Sequence, residues 1–388
     1  MANLDYRTAG ESHGAAMVAL IEGLPAGLRV DVEAINHSLR LRQGGFGRGG
    51  RQKIERDEVR ILSGLLRGET IGSPVTLQIE NRDYRIDETP PLHRPRPGHA
   101  DFPGAMKWRT EDCRPVLERA SARETVVRVA AGALSRQLIE PFGISLVGFV
   151  ARIGGVGIAE TAWRDATPDA LRAGRDGSEV YCPDATASAA MIEAIKSARQ
   201  SKDTLGGVVE VRVFGCPPGL GSCMRWQEKL DGRLMAAIGS IQAIKGVSIG
   251  AGFESAERPG STVHDAMDHL PARASEPSAG FVRRSNNAGG LEGGMTNGMP
   301  ILLRAAMKPI STLLQGIDTV DLRTRQAARA DYERSDICAV PAASIVAEHV
   351  VAFEIARAFV EKFGGDTLSD LRAAYENYLA ALRRTPAT

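Results

Sequence analysis

Arginine gathers in this chain where glycine and proline bend it most tightly. Residues 40–51 read RLRQGGFGRGGR, placing Arg40, Arg42, Arg48 and Arg51 among glycines that allow tight turns and close backbone approach. The guanidinium is a planar fork matched to carboxylate and phosphate, so such a cluster points to an anion pocket. A solvated basic loop is the competing reading of this segment alone. Arg94, Arg96 and His99 crowd a proline-rich stretch, and Arg119, Ser121, Arg123 and Arg128 stand at or near the start of a predicted helix. A helix N-terminus favours anions, so arginines there run against its dipole. Their mutual repulsion adds to that cost, and a multiply charged anion lying between them removes it.

His13 and His99 each sit in a glycine-flanked turn, SHG and PGHAD, where an imidazole is well placed to face a cleft. Neither has metal-site spacing, and no metal is expected. GESHG at 10–14 fits the GxSxG pattern of a hydrolase nucleophile at Ser12. That elbow follows a strand and opens a helix, whereas here a strand-like run follows, so a chance match is the better reading. GFGRGG likewise satisfies GxGxxG, but in reversed context, with a helix before it. Residues 285–301, SNNAGGLEGGMTNGMPI, suit no regular element, and their backbone amides are able to line a ring or a phosphate. KPIST (308–312) brings a lysine and hydroxyls after a strand, and RSDIC (334–338) sets an arginine, a hydroxyl and a carboxylate side by side.

The elements positioning these groups mix helix and strand. Residues 15–22 and 28–32 read as strands, Asp31 as an N-cap, and the helix after it carries Val32, Ile35 and Leu39 on one face and stops at Gly44. Segments 59–66 and 71–80 read as a strand pair. Residues 87–104 hold too many prolines for helix or central strand and are expected to form a long ordered loop or lid. From Pro115 one long helical pattern runs to Pro141 and Gly143. Beyond it the reading is strand 144–151, helix 186–199, strand 207–214, helix 226–243, strand 247–252, strand 300–306 and helix 342–362.

Composition narrows the function. A net charge of +1 over 388 residues argues against a protein whose main partner is a nucleic acid. Only eight of the 48 basic residues are lysine, an excess of arginine that codon bias also explains. No apolar run is long enough to cross a bilayer, and the N-terminus carries no secretion signal. Five scattered cysteines without a CxxC pair fit reduced thiols in a cytoplasm.

Taken in order, GESHG, RQGGFGRGGR, RPGHAD, RASARET, IQAIKGV, SNNAGGLEGG, KPIST and RSDICAVPAA resemble the successive signatures of the chorismate synthases, from Gly10 to about Gly365. The resemblance implies an α+β fold, a β–α–β sandwich forming one domain over 1–388, assembled as a homotetramer. It implies phosphate elimination from 5-enolpyruvylshikimate 3-phosphate to chorismate with reduced FMN and no net redox change. NADPH enters only indirectly, since no segment resembles a reductase and an external flavin reductase must supply the reduced flavin. Carried over motif by motif, Arg42, Arg48, Arg96, Ser121, Ala122, Arg123, Arg334 and Ser335 are implied at the substrate. Implied at FMN are Arg42, Arg48, Arg119, Ala120, Ser121, Gln242, Ala243, Gly293, Lys308, Pro309, Ile310, Ser311, Thr312 and Arg334. His99 is implied near flavin N1, His13 as acid to the leaving phosphate, and Asp336 as a base at flavin N5. Leu41 and Asn287 depart from the arginine and the histidine or arginine that many members carry.

Overall fold

The computed structural model describes residues 4–50, 54–159, 163–331, 333 and 336–384. Near the N-terminus, β1 (Asp5–Ala9) and β2 (Ala16–Glu22) form a hairpin that pairs Asp5 with Glu22 and Ala9 with Val18, and GESHG is its turn. Met17, Ala19 and Ile21 of β2 are buried in alternation, the period of a strand with one face on a core. Asp31 caps α1 (Val32–Gln43) by accepting the Glu33 and Ala34 N–H groups, and the helix ends at Gly44. β3 (Val59–Ser63) and β4 (Val75–Glu80) complete a four-stranded antiparallel sheet in the order β1-β2-β4-β3.

Three helices follow: α2 (Asp101–Trp108), α3 (Arg114–Ala120) and α4 (Thr125–Ile139). A second antiparallel sheet is built from β5 (Ser145–Ile153), β6 (Val156–Gly157), β7 (Gly207–Phe214), β8 (Ile244–Ile249) and β9 (Ile301–Met307), ordered β8-β9-β7-β5-β6. Helices α5 (Pro168–Asp176), α6 (Ala185–Gln200) and α7 (Leu230–Gly239) lie among these strands in sequence, and α8 (Val340–Phe363) and α9 (Leu368–Arg383) end the chain.

Between the sheets, α4 packs on β2 and β4, while α8 packs on β5 and β7, and the two helices pack on each other. Both are buried nearly all round, as helices enclosed on every side must be. Their spacing is set by Gly132, where a Cβ would lie 2.1 Å from the His349 carbonyl oxygen. Gly148 does the same for β5, its missing Cβ falling 2.4 Å from the Ser344 carbonyl. Interiors packed this closely leave no room for even one methyl group. The result is the β–α–β sandwich expected from the resemblance.

One buried carboxylate stitches these layers together. Glu348 of α8 accepts Arg136 of α4 at 3.1 Å, Arg175 of α5 at 2.6 Å and the Gly148 N–H of β5 at 2.9 Å. Burial alone would raise its pKa, but the charges of Arg175 and Arg136 and the hydrogen bond from the Gly148 N–H hold the carboxyl below its ordinary value. Its neighbour His349 is buried and stays neutral: burial pushes its pKa down to about 4, against the pull of Glu348.

Several local expectations need correction. Residues 28–32 form no strand, only an isolated bridge from Arg29 to Glu69. The proline-rich stretch is not loop throughout, because α2 starts at Asp101 and tolerates Pro103 in its first turn, where no intrahelical N–H is needed. The long helix after Pro115 is two helices broken at Ser121, whose ψ of 141° is extended. A short 3-10 turn over Ala122–Glu124 separates them. Of the stretch 226–243 only Leu230–Gly239 is α-helical. Strand β1 and helices α5 and α9 are additions. Leu41 is half-buried against the core, and the Asn287 side chain donates to Val263 and Asp265.

His349 gives the fold a specific pH signature. Between pH 6.5 and about 4 the unfolded chain takes up a proton at this position that the folded chain refuses. Stability therefore falls with falling pH over that window, by about 3 kcal/mol. Urea unfolding at a series of pH values is expected to show that slope in the parent and a flatter one in His349→Gln. Equal slopes would assign the acid sensitivity elsewhere.

Candidate active site

A cavity of about 630 Å³ opens where the GESHG turn, the glycine-rich loop after α1, the break between α3 and α4, and the start of α8 converge. Sequence-predicted residues reach it from every side: His13, Arg42, Arg48, Arg96, His99, Ala120, Ser121, Ala122, Arg123, Gln242, Ala243, Lys308, Ile310, Ser311, Thr312 and Asp336. Gln242, Ala243 and Lys308 arrive together because the Lys308 N–H donates to the Ala243 carbonyl at 2.9 Å, joining the start of β8 to the end of β9.

The arginines are held by carboxylates that sequence reasoning missed. Asp57 is fully buried; its Oδ2 lies 3.2 Å from Arg42 Nη1 and its Oδ1 2.6 Å from Arg123 Nη1. Arg42 also donates to Thr125 Oγ1 and the Ala122 carbonyl, and Arg123 to Asn81 Oδ1 and the Glu80 carbonyl. Burial pushes Arg42 down to about 9, against Asp57, with help from the charges of Arg123 and Arg48. The expected crowd of mutually repelling cations is therefore largely neutralised within the protein.

Arg48 is paired less completely. Its Nη1 lies 3.2 Å from Asp336 Oδ2, while its buried Nε has no partner. Asp336 Oδ1 accepts the Gly49 N–H at 2.7 Å, so this carboxylate shapes the glycine-rich loop as well as pairing with Arg48. A buried guanidinium N–H without an acceptor carries an uncompensated desolvation cost.

Both histidines stand on carboxylates. His13 Nδ1 lies 2.9 Å from Glu118 Oε1, and its Nε2 is 3.7 Å from Asp83. His99 Nδ1 lies 2.5 Å from Asp101 Oδ1, and the same carboxylate takes Arg96 Nε at 2.8 Å. Burial pulls Asp101 upward, but hydrogen bonds from His99 and Arg96 and the Arg96 charge hold it well below the carboxylate range. Nδ1 of each ring is thus committed to the protein. Asp101 sits inside the PGHAD motif, a readable signal; Asp57 and Glu118 lie in charged segments that look like ordinary surface.

The cavity also has an apolar lining, formed by Leu117, Ile241, Met307, Ile310, the α8 cap residue Ala339 and the α8 residues Ala342, Ala343 and Val346. Above it Gln242 Oε1 is buried without a partner. Burial and the nearby charge of Lys245 lower the pKa of Lys308. A flat ring with polar edges and an attached anion is the kind of ligand such a mixed lining accommodates.

Some predicted residues are not brought to the cavity. Arg119 lines a second hollow with Tyr6, Thr8 and Arg128, and donates to the carbonyls of Thr8 and Gly10. Gly293 lies in the short hairpin Leu291–Glu292/Met295–Thr296, and Pro309 does not line the cavity. Arg51, Arg334 and Ser335 lie outside the described residues. Ser12 sits in a hairpin turn between two strands, not at a strand-to-helix elbow. Among the described residues no cluster of three or more His, Cys, Asp or Glu is arranged to hold a metal, and no helix is long and apolar enough to cross a membrane.

The family model described as chorismate synthase matches residues 4–360. This chain belongs to the chorismate synthase family. The chorismate synthase of Geobacter metallireducens is 52% identical over 393 aligned residues, which cover 98% of this chain and 99% of that protein. The chorismate synthase of Symbiobacterium thermophilum is 51% identical over 396 residues, 98% and 99% of the respective chains. A crystal structure of a chorismate synthase superposes with a TM-score of 0.80 at 38% identity, covering 99% of each chain. Family membership makes the protein an enzyme, a lyase.

Arg48 and Asp57 should behave differently when altered. Arg48→Ala is expected to leave the melting temperature nearly unchanged and weaken binding of a phosphate-bearing dicarboxylate by about 1.5–3 kcal/mol in calorimetry. Asp57→Ala strands two buried guanidiniums and is expected to cost about 3–5 kcal/mol of stability. Equal destabilisation by the two variants would mean that Arg48 is part of the same structural network.

Proposed function

We propose that this chain eliminates phosphate from 5-enolpyruvylshikimate 3-phosphate to give chorismate, with reduced FMN and without net oxidation of the substrate. The observation that carries this reading is the pairing, in one cavity, of an apolar wall with five arginines and two carboxylate-anchored histidines. The substrate carries two carboxylates and a phosphate, a charge of about −3.5 to −4 near neutrality, which matches the arginine-lined side. Family membership supports the same chemistry.

Bound reduced FMN would lend electron density and recover it, so that a non-acidic hydrogen and the phosphate can leave together. Gln242, Ala243, Lys308 and the segment from Ile310 to Thr312, with Ala120 and Ser121, would hold it against the apolar wall. Arg48 and Arg96 would bind the substrate anion, and Arg42 and Arg123 would direct their remaining N–H groups to it while staying on Asp57. Arg334 and Ser335 join this set on the resemblance alone. His13 would give a proton to the departing phosphate through Nε2. His99, oriented by Asp101, would present Nε2 to the flavin edge. Each role is worth about 10²–10⁴-fold if it is true acid–base catalysis. Asp336 would act at the flavin edge while screening Arg48.

The reading places the enzyme in the cytoplasm as one catalytic domain and a homotetramer, served by a separate flavin reductase that draws on NADPH. Nucleic acid and membrane are not partners. The test is anaerobic phosphate release from the substrate with dithionite-reduced FMN, oxidised FMN, NADPH alone and no cofactor. Turnover is expected only with reduced FMN, with no stoichiometric consumption of reductant. One reductant spent per product, or turnover with NADPH alone, would overturn it.

A further inference from the structure

We propose that Glu118 is the positioning residue of His13, holding the ring by Nδ1 and the backbone by its amide so that Nε2 is the nitrogen offered to the cavity. The inference rests on the reading of His13 as the proton donor to the leaving phosphate and names what orients it.

Glu118 does not itself line the cavity, whereas Leu117 and Ala120 on either side of it do. Its carboxylate lies behind His13, 3% exposed, with Oε1 at 2.9 Å and Oε2 at 3.0 Å from Nδ1. Oε2 also accepts the His13 backbone N–H at 2.9 Å, and the Glu118 carbonyl accepts the Ser12 N–H at 2.9 Å. One residue of α3 thus fixes both the turn and the ring it carries. Arg114, one helical turn earlier, sets Nη1 3.7 Å from Oε1 while its Nη2 is engaged by Glu333 at 2.8 Å. Burial would raise the Glu118 pKa, but the side-chain and backbone hydrogen bonds of His13 keep it ionised. An ionised carboxylate only accepts, so the imidazole must carry a proton on Nδ1.

On the other side of the ring, Nε2 faces Asp83 at 3.7 Å, and Asp83 is held by Arg85 Nε at 2.9 Å. Among the described residues, the charged groups named around His13 are Glu118, Asp83, Arg114 and Arg85. With Nδ1 fixed, the proton that moves is the one on Nε2. This is the arrangement in which a neighbouring carboxylate sets the tautomer of a catalytic histidine.

Glu118→Gln keeps the shape and the amide contact but ends the obligation for Nδ1 to carry a proton. It is expected to lower kcat at least tenfold, within the ~10²–10⁴-fold range of a general acid, with KM changed less than about threefold. In a His13→Ala background the same substitution is expected to cost less than about twofold, because its effect passes through the ring. An equal loss in both backgrounds would make Glu118 merely structural and overturn the proposal. A second readout needs no turnover: nitrogen NMR of the ligand-free wild type is expected to show His13 protonated at Nδ1, and a neutral ring protonated only at Nε2 would also overturn it. Were the wild type inert with substrate and reduced FMN, the proposed reaction would fall, while the NMR result would still decide the contact.

Discussion

The site depends first on one buried carboxylate shared by two guanidiniums. Asp57 holds Arg42 at the end of α1 and Arg123 in the turn before α4. Arg123 reaches on to Asn81, whose side-chain amide donates to the carbonyls of Gly14 at 2.7 Å and Glu11 at 3.1 Å in the β1–β2 turn. Arg42 in turn holds Thr125 and Ala122 at the start of α4. A single hydrogen-bonded path therefore links the loop carrying His13, the break that presents Ser121 and Ala122, and the helix leading to the glycine-rich loop. Buried ion pairs contribute little net stability, but removing one partner is expensive, so such a path is kept or lost as a unit.

This constraint changes the electrostatic picture drawn from composition. A cluster of bare arginines would wait for its ligand at a high cost in repulsion. The folded chain instead assigns a carboxylate to each cavity arginine: Asp57 to Arg42 and Arg123, Asp83 to Arg85, Asp101 to Arg96, Asp336 to Arg48. Preorganisation of this kind lets donors act without rearranging when charge shifts in the reaction. In the proposed reaction, attraction for the substrate anion then rests on the donors left over, above all those of Arg48, the cavity arginine whose Nε has no partner.

What the sequence makes legible follows from how local each signal is. Asp31 with its helix and the strand over residues 15–22 are short-range patterns, and they read correctly. The sandwich itself and the enzyme class came from the order of motifs, because the packing that defines the layers joins Gly132 to His349 across more than two hundred residues. Asp57 and Glu118 escaped notice for the same reason: each looks like surface charge until folding places it behind a distant arginine or histidine. Arg119 and Gly293, which their motifs imply at the cofactor, lie in a second hollow and in a short hairpin, positions that no local pattern announces. The helical break at Ser121 was hidden because Arg119, Ala120, Ala122, Arg123 and Glu124 are all good helix formers, and the Ser121 cap with the tertiary hold on Arg123 interrupts them.

The most direct measurement of the central claim is a crystal structure of the chain with the enolpyruvyl phosphate and flavin bound. The account predicts that Arg42 and Arg123 keep their contacts to Asp57 within about 0.5 Å of the ligand-free positions, the tolerance expected of a preorganised site, while Arg48 turns its free Nε to the anion. A complex in which the ligand has drawn Arg42 and Arg123 away from Asp57 would show that the carboxylate lattice does not preorganise the site, and would contradict the account.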